Sequence, residues 1–217
     1  MLYQLLYSLH NYPALRFLNV VRYVSTRTIL AILTALLISL LLGPRFIAWL
    51  RKLQIGETIR TDGPEAHKKK AGTPTMGGTL ILFALVVPTL LWCDLQNRFI
   101  WVALTVTTSF GLIGFLDDYR KLRVSKKGLP GKVKLLLQTL IAAGAVVYIF
   151  YGPLYDQDLR FRVALPLIDF YRHPLAMLAP VYLALAVFVI VGSSHAVNLT
   201  DGLDGLAIGP VVVASGT

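Results

Sequence analysis

The chain has 217 residues, of which 56% are hydrophobic and 15% charged, and its mean hydropathy is +0.66. A soluble domain carries about 25% charged residues, so this composition argues against a soluble protein and predicts an integral membrane protein. The net charge of +10 makes anionic lipid or an anionic substrate the natural partner. Nucleic acid is not expected, because the basic residues flank apolar segments and form no soluble domain of their own.

The N-terminal 25 residues are predicted to lie at the membrane interface. They lack the basic start and small-residue cleavage site of a signal peptide, and Pro13 interrupts their apolar pattern. Five apolar stretches follow, each near the ~17–25 residues that cross a bilayer, at 26–42, 77–92, 99–116, 135–151 and 174–191. A sixth begins near Leu206 and is still apolar at Thr217. The sequence therefore predicts one all-α, polytopic membrane domain, which we expect to be the N-terminal part of a longer chain.

The distribution of basic residues predicts how the helices are oriented. The loops 43–75 and 117–134 each carry seven Lys and Arg, whereas 93–98 carries one and 152–173 carries three. The positive-inside rule places the two richly basic loops in the cytoplasm and the N-terminus outside. The middle of each of the five spans lacks Asp, Glu, Lys, Arg and His, which argues against a proton-coupled transporter or ion channel. A membrane scaffold without enzymatic activity stays open as an alternative.

Two adjacent acids, Asp117 and Asp118, follow the third span directly and are expected at the water-exposed end of its helix. Such a pair can share a divalent cation or divide the roles of ligand and base. The same residues could instead form a solvated helix end, with Arg120 and Lys121 offsetting their charge.

A second polar cluster lies between the fifth span and the sixth. Asn198, Asp201 and Asp204 recur every three residues, which would bring three oxygen ligands near one face of a helical turn. Oxygen ligands of this kind suit Mg²⁺. Helix capping by Asn or Asp would explain one of these residues, but not three with glycines between them.

A third motif lies in the first basic loop, where residues 60–67 (RTDGPEAH) run on through Lys70 to Gly78. Lysines followed by Thr, Pro and Gly before a helix can form an anion site, although a basic loop facing anionic lipid would look the same. The predicted topology puts all three motifs on the cytoplasmic face. A carboxylate–Mg²⁺ centre surrounded by Lys and Arg is typical of phosphoryl transfer.

Three blocks of this sequence resemble the polyprenyl-phosphate N-acetylhexosamine-1-phosphate transferases. They are GTPTMGG (72–78), FLDDYRK (115–121) and HAVNLTDGLDGLA (195–207). The first block, with RTDGPEAH before it, is similar to the branch that handles muramoyl-pentapeptide. The resemblance implies transfer of phospho-MurNAc-pentapeptide from UDP to undecaprenyl phosphate, giving lipid I and UMP. It also implies a complete protein of ten helices, Mg²⁺, a homodimer in the bacterial inner membrane and a cytoplasmic active face. The sister activity, with UDP-GlcNAc as donor, is the alternative.

The resemblance also implies roles for individual residues. Asp117 and Asp118 would be the catalytic acids, and Asp117 the better candidate for engaging or deprotonating the lipid phosphate. Asn198 and Asp201, with Asp117, would hold the metal. Substrate contacts are implied for Lys70, Thr75, Lys121, Lys134 and Asp204. The family has a further metal-binding Asp and a His-rich motif downstream, so the 217-residue piece alone is expected to be inactive.

Overall fold

The structure, a computed structural model, describes residues 2–52, 76–123, 128–152, 161–163, 175–200 and 206–216. A short helix, α1 (Leu2–Leu9), is followed by a 3₁₀ helix (Pro13–Arg22). The remaining helices are α2 (Val24–Lys52), α3 (Gly78–Trp92), α4 (Arg98–Arg123), α5 (Gly131–Tyr151), α6 (Ala179–Thr200) and α7 (Ile208–Gly216). Two short strands, β1 (Arg162–Val163) and β2 (Leu175–Ala176), precede α6 and pair antiparallel. The chain divides into two compact units, Met1–Pro130 and Gly131–Thr217.

Four described helices, α2, α4, α5 and α6, are long and apolar enough to cross a membrane. The remaining predicted span, 77–92, corresponds to α3, which has 15 residues and is therefore about 22 Å long, against the ~30 Å of a bilayer core. Large apolar side chains such as Ile81 and Phe188, 70% and 72% exposed, are suited to contact with lipid tails. The prediction of an all-α, multi-pass membrane protein is confirmed.

Several helices extend beyond the apolar stretches that predicted them. Helix α2 continues through Pro44 to Lys52, and α4 continues past its apolar run to Arg123. Helix α6 begins at Ala179, later than predicted, and ends at Thr200. Hydropathy marks the part of a helix that lies in lipid, whereas backbone hydrogen bonding carries the helix on into the polar boundary. This extension places Asp117 and Asp118 near the end of α4 and Asn198 in the last turn of α6.

In the first unit, α3 packs against both α2 and α4. The Trp92 indole N–H donates to Thr34 Oγ1 over 2.9 Å, which joins α3 to α2. A Cβ on Gly111 of α4 would lie 2.7 Å from Leu82 Cδ2, so the absence of a side chain allows close approach of α3. Small residues at such contacts are the usual means of packing helices in a bilayer.

In the second unit, α5 packs against α6. The buried face of α5 carries residues four apart, namely Gln138, Ala142, Val146 and Phe150. The ring of Phe150 meets that of Tyr182 edge-on at 4.9 Å, and Phe161 lies 5.8 Å from Tyr182. Phe161 directly precedes β1, and its carbonyl accepts from the Met177 N–H. Its ring contacts therefore connect the paired strands β1 and β2 to helices α5 and α6.

Candidate active site

The two adjacent carboxylates lie near the C-terminal end of α4. This helix forms from an apolar run without proline, and it begins after Asn97, whose side chain accepts from the Phe99 N–H at 3.0 Å. Its last turn carries Arg120, Lys121 and Arg123. Their positive charges interact favourably with the negative end of the helix dipole. Carboxylates are unfavourable at that end, so Asp117 and Asp118 need compensating contacts.

Asp117 is buried and anchored through both of its oxygens. Its residue is 8% exposed, its Oδ1 accepts from the Leu129 N–H at 2.7 Å, and its Oδ2 lies 2.7 Å from Lys121 Nζ. The expectation that both acids stand at a water-exposed helix end is therefore wrong for Asp117. The physical reason is that the chain returns after α4 and covers the carboxylate with the backbone at 128–129.

Asp118 and Lys121 are more accessible than Asp117. The Asp118 side chain is 37% exposed and the Lys121 side chain 45% exposed, and Lys121 Nζ lies 3.4 Å from Asp118 Oδ1. One ammonium therefore contacts both carboxylates, because positions three and four apart share a helix face. Lys121, expected to hold a phosphate, thus has the two acids as its contacts in this structure.

The carboxylate oxygens of Asp117 and Asp118 are chemically suitable ligands for a magnesium ion. Mg²⁺ prefers carboxylate oxygens combined with water and substrate phosphate, and the Lys121 ammonium shows that a cationic group fits against this pair. A metal ion on the same oxygens would require Lys121 to turn away. Among the residues that the structure describes, no group of three or more His, Cys, Asp or Glu side chains is arranged to hold a metal.

The other predicted site residues are distributed over both units. Lys134 is half-buried in the first turn of α5, and Asn198 is exposed in the last turn of α6, both in the second unit. Four more lie outside the described residues: Lys70, Thr75, Asp201 and Asp204. Within the part of the chain that the structure describes, Lys121 contacts both Asp117 and Asp118.

Sequence reasoning missed the backbone of Leu129, which contacts Asp117 directly. With its neighbours it forms the motif Gly-Leu-Pro-Gly over 128–131, whose last residue begins α5. Glycine and proline in such a cluster predict a turn. That signal locates the turn, but it does not reveal that the turn folds back onto a carboxylate twelve residues earlier.

The chain belongs to glycosyl transferase family 4, whose sequence model matches residues 100–217 and thus includes both carboxylates. A shorter pattern, phospho-N-acetylmuramoyl-pentapeptide-transferase signature 1, matches residues 70–82.

This pattern includes the GTPTMGG block, of which Met76 to Gly78 are described. Met76 is buried, has a φ of 71°, and its carbonyl accepts from the Thr79 hydroxyl at 2.6 Å, at the start of α3.

Three relatives are phospho-N-acetylmuramoyl-pentapeptide-transferases. The chain is 49% identical to that of Sorangium cellulosum over 100% of its own length and 59% of the relative's. It is 51% identical to that of Syntrophus aciditrophicus, with 98% and 57% covered. It is 46% identical to that of Geobacter sp. strain M21, with 100% and 58% covered. The chain thus spans somewhat less than two thirds of the length of each relative.

Proposed function

We propose that the protein containing this chain transfers phospho-MurNAc-pentapeptide from UDP-MurNAc-pentapeptide to undecaprenyl phosphate, giving lipid I and UMP for peptidoglycan synthesis. The observation that carries this proposal is the identity of 46–51% to three transferases of that name along essentially the whole chain. The signature at residues 70–82 supports the same branch. The paired carboxylates with their lysine supply chemistry suited to phosphoryl transfer.

In the proposed reaction, an oxygen of the lipid phosphate bonds to the phosphorus that carries the sugar. The bond from that phosphorus to the oxygen of UMP breaks, and UMP leaves with the electron pair. Asp117 would engage the lipid phosphate and accept its proton where one is present, with Asp118 beside it. Direct attack and a covalent intermediate on the enzyme are both compatible with these residues. Lys121 and Lys134 would hold phosphate groups as cations.

Mg²⁺ is part of this proposal. Asp117, Asn198 and Asp201 would hold it, and it would supply neutralisation of the diphosphate charge. The hard oxygen donors of Asp117 support the assignment. The chain's own residues bring the acid to the membrane boundary and place the Lys121 ammonium against Asp117. Lys70, Thr75 and Asp204 would contact the nucleotide substrate.

We further propose that the protein is a homodimer in the bacterial cytoplasmic membrane, with its active face towards the cytoplasm. The seven Lys and Arg of each of the loops 43–75 and 117–134 support that orientation, because basic loops stay on the cytoplasmic side. Cysteine labelling tests it directly. A cysteine introduced near Lys121 should react with an impermeant maleimide only after cells are opened, whereas one near Asn97 should react in intact spheroplasts.

The decisive experiment measures UMP release by the complete natural protein in detergent with Mg²⁺ and undecaprenyl phosphate. UDP-MurNAc-pentapeptide and UDP-GlcNAc are offered separately. We expect release with the pentapeptide substrate, its loss on adding EDTA and its recovery with excess Mg²⁺. Release with UDP-GlcNAc alone would contradict the proposal and assign the sister activity. Release with neither donor, together with substrate flux across liposomes, would favour a transporter instead.

A further inference from the structure

We propose that Gly128 is a positioning residue for Asp117. Its backbone conformation directs the Leu129 N–H to the Asp117 carboxylate. This hydrogen bond holds the Asp117 side chain in the orientation that contacts Lys121. The catalytic part of this inference rests on the proposed function, in which Asp117 engages the lipid phosphate. The geometric part depends only on contacts within the first unit, made by four described residues: Asp117, Lys121, Gly128 and Leu129.

The first observation is the backbone conformation of Gly128. Its φ is +69°, in the left-handed region that residues with a Cβ rarely adopt and that glycine adopts freely. The peptide that follows presents the Leu129 N–H to Asp117 Oδ1 at 2.7 Å. A change of backbone conformation at residue 128 would therefore turn this donor away from the carboxylate.

The second observation is the absence of space for a side chain at residue 128. A Cβ there would lie 2.5 Å from Asp117 Oδ1 and 2.9 Å from Lys121 Cε. Two non-bonded heavy atoms do not approach so closely, so either the carboxylate or the loop would have to move. Glycine is thus required twice at this position, for its φ and for its size.

The consequence for the site follows from the two oxygens of Asp117. Oδ1 is held by the Leu129 N–H and Oδ2 by Lys121 Nζ, each at 2.7 Å. Anchors on different oxygens fix the orientation of the carboxylate plane as well as its position. A displaced Oδ1 would turn that plane, and a misplacement of about 1 Å in a reacting group can lower the rate about 100-fold.

The test compares Gly128 with Gly131, the first residue of α5, in the complete natural protein. Gly128→Ala places a methyl group against Asp117, whereas Gly131→Ala meets no atom within 4 Å and is the matched control. We expect Gly128→Ala to lower kcat for UMP release about 10- to 100-fold, with KM for both substrates within about threefold of the natural value. Gly131→Ala should leave both constants nearly unchanged. Equal effects of the two substitutions would overturn the proposal.

A double-mutant cycle separates positioning from general damage. If Gly128 acts through Asp117, then Gly128→Ala should lower the residual turnover of Asp117→Asn by less than about twofold, because effects on one interacting unit are not additive. If Gly128→Ala lowers turnover by the same factor in the natural sequence and in the Asp117→Asn background, Gly128 does not act through Asp117.

A measurement of thermal unfolding distinguishes failure of this inference from failure of the proposed function. Asp117→Ala removes the oxygen that the new methyl group would strike. We expect Gly128→Ala to lower Tm less in the Asp117→Ala background than in the natural sequence, whether or not the protein releases UMP. If Gly128→Ala alone does not fold, then folding of the double variant is the supporting result. Equal Tm shifts, or failure of both to fold, would contradict a contact with Asp117.

Discussion

Lys121 Nζ lies 2.7 Å from Asp117 Oδ2 and 3.4 Å from Asp118 Oδ1, so one ammonium forms salt bridges with two adjacent carboxylates. The three residues lie on one face of the end of α4 because they are three and four positions apart. The group keeps one net negative charge. It is therefore both partly neutralised, which allows Asp117 to be buried, and still able to attract a cation.

Replacing Lys121 with Met should weaken both folding and turnover. The substitution leaves the buried Asp117 carboxylate with its Leu129 hydrogen bond but without its ammonium. Because Lys121 is 45% exposed, solvent screening limits the stability loss to about 1 kcal/mol or less. Thermal unfolding and UMP release in the complete protein measure the two effects. Lys52→Met, at the exposed end of α2, is the control and should change neither, whereas an equal loss there would point to surface charge in general.

Replacing Asp117 with Asn should remove most turnover and keep the fold. The amide oxygen still accepts from the Leu129 N–H, but it carries no charge to engage a proton, a metal ion or Lys121. Loss of a general acid–base group lowers rates about 10²- to 10⁴-fold, and the UMP-release assay measures this. Asp94→Asn is the matched control, since Asp94 accepts from the Gln96 N–H in the turn before α4. Near-normal turnover of Asp117→Asn would reject the catalytic role.

Replacing Thr34 with Val should loosen the contact between α2 and α3. The Thr34 hydroxyl donates to the Leu30 carbonyl at 2.7 Å and accepts from the Trp92 indole at 2.9 Å. Interhelical hydrogen bonds in membranes contribute about 0.6–1.7 kcal/mol. Thr28→Val is the control, because Thr28 makes the same type of bond to the Val24 carbonyl. Unfolding in detergent should show a larger loss for Thr34→Val, and equal losses would mean that Trp92 contributes nothing.

Replacing Gly111 with Ala should disturb the packing of α3 on α4. A Cβ at Gly111 would lie 2.7 Å from Leu82 Cδ2, whereas one at Gly114 meets nothing within 4 Å. Ala is favoured over Gly in a helix by about 1 kcal/mol, so Gly114→Ala should be neutral or stabilising. Gly111→Ala should lower Tm relative to Gly114→Ala, and in a Leu82→Ala background this difference in Tm should disappear. A Gly111→Ala variant as stable as Gly114→Ala would show that Leu82 repacks freely.

Much of this arrangement could be predicted from local sequence. Continuous apolar runs predict helices that cross a membrane, and four of the five predicted spans are long enough in the structure. The prediction was less accurate for helix ends, as at Lys52 and Thr200, because polar residues can continue a helix beyond the lipid. The acid pair was recognised from its position next to an apolar run, a signal that needs only neighbouring residues.

The contacts around Asp117 show where local sequence stops being informative. That Asp117 pairs with Lys121 follows from helical spacing alone. That Asp117 is buried does not, since burial depends on the backbone of Gly128 and Leu129, which lies against the carboxylate with Gly128 in a left-handed conformation. A similar case is the bond between Trp92 and Thr34, which joins residues 58 positions apart. Such contacts depend on how helices pack.

The sequence by itself determined the membrane class, the approximate spans and the residues that carry charge, because hydropathy and helical spacing act over a few residues. Only the tertiary structure decided which carboxylate is sheltered, which backbone group holds it and which glycines permit close approach. The physical reason is that burial and hydrogen bonding depend on distances between atoms far apart in the chain. Those distances are set by packing rather than by the pattern of neighbouring residues.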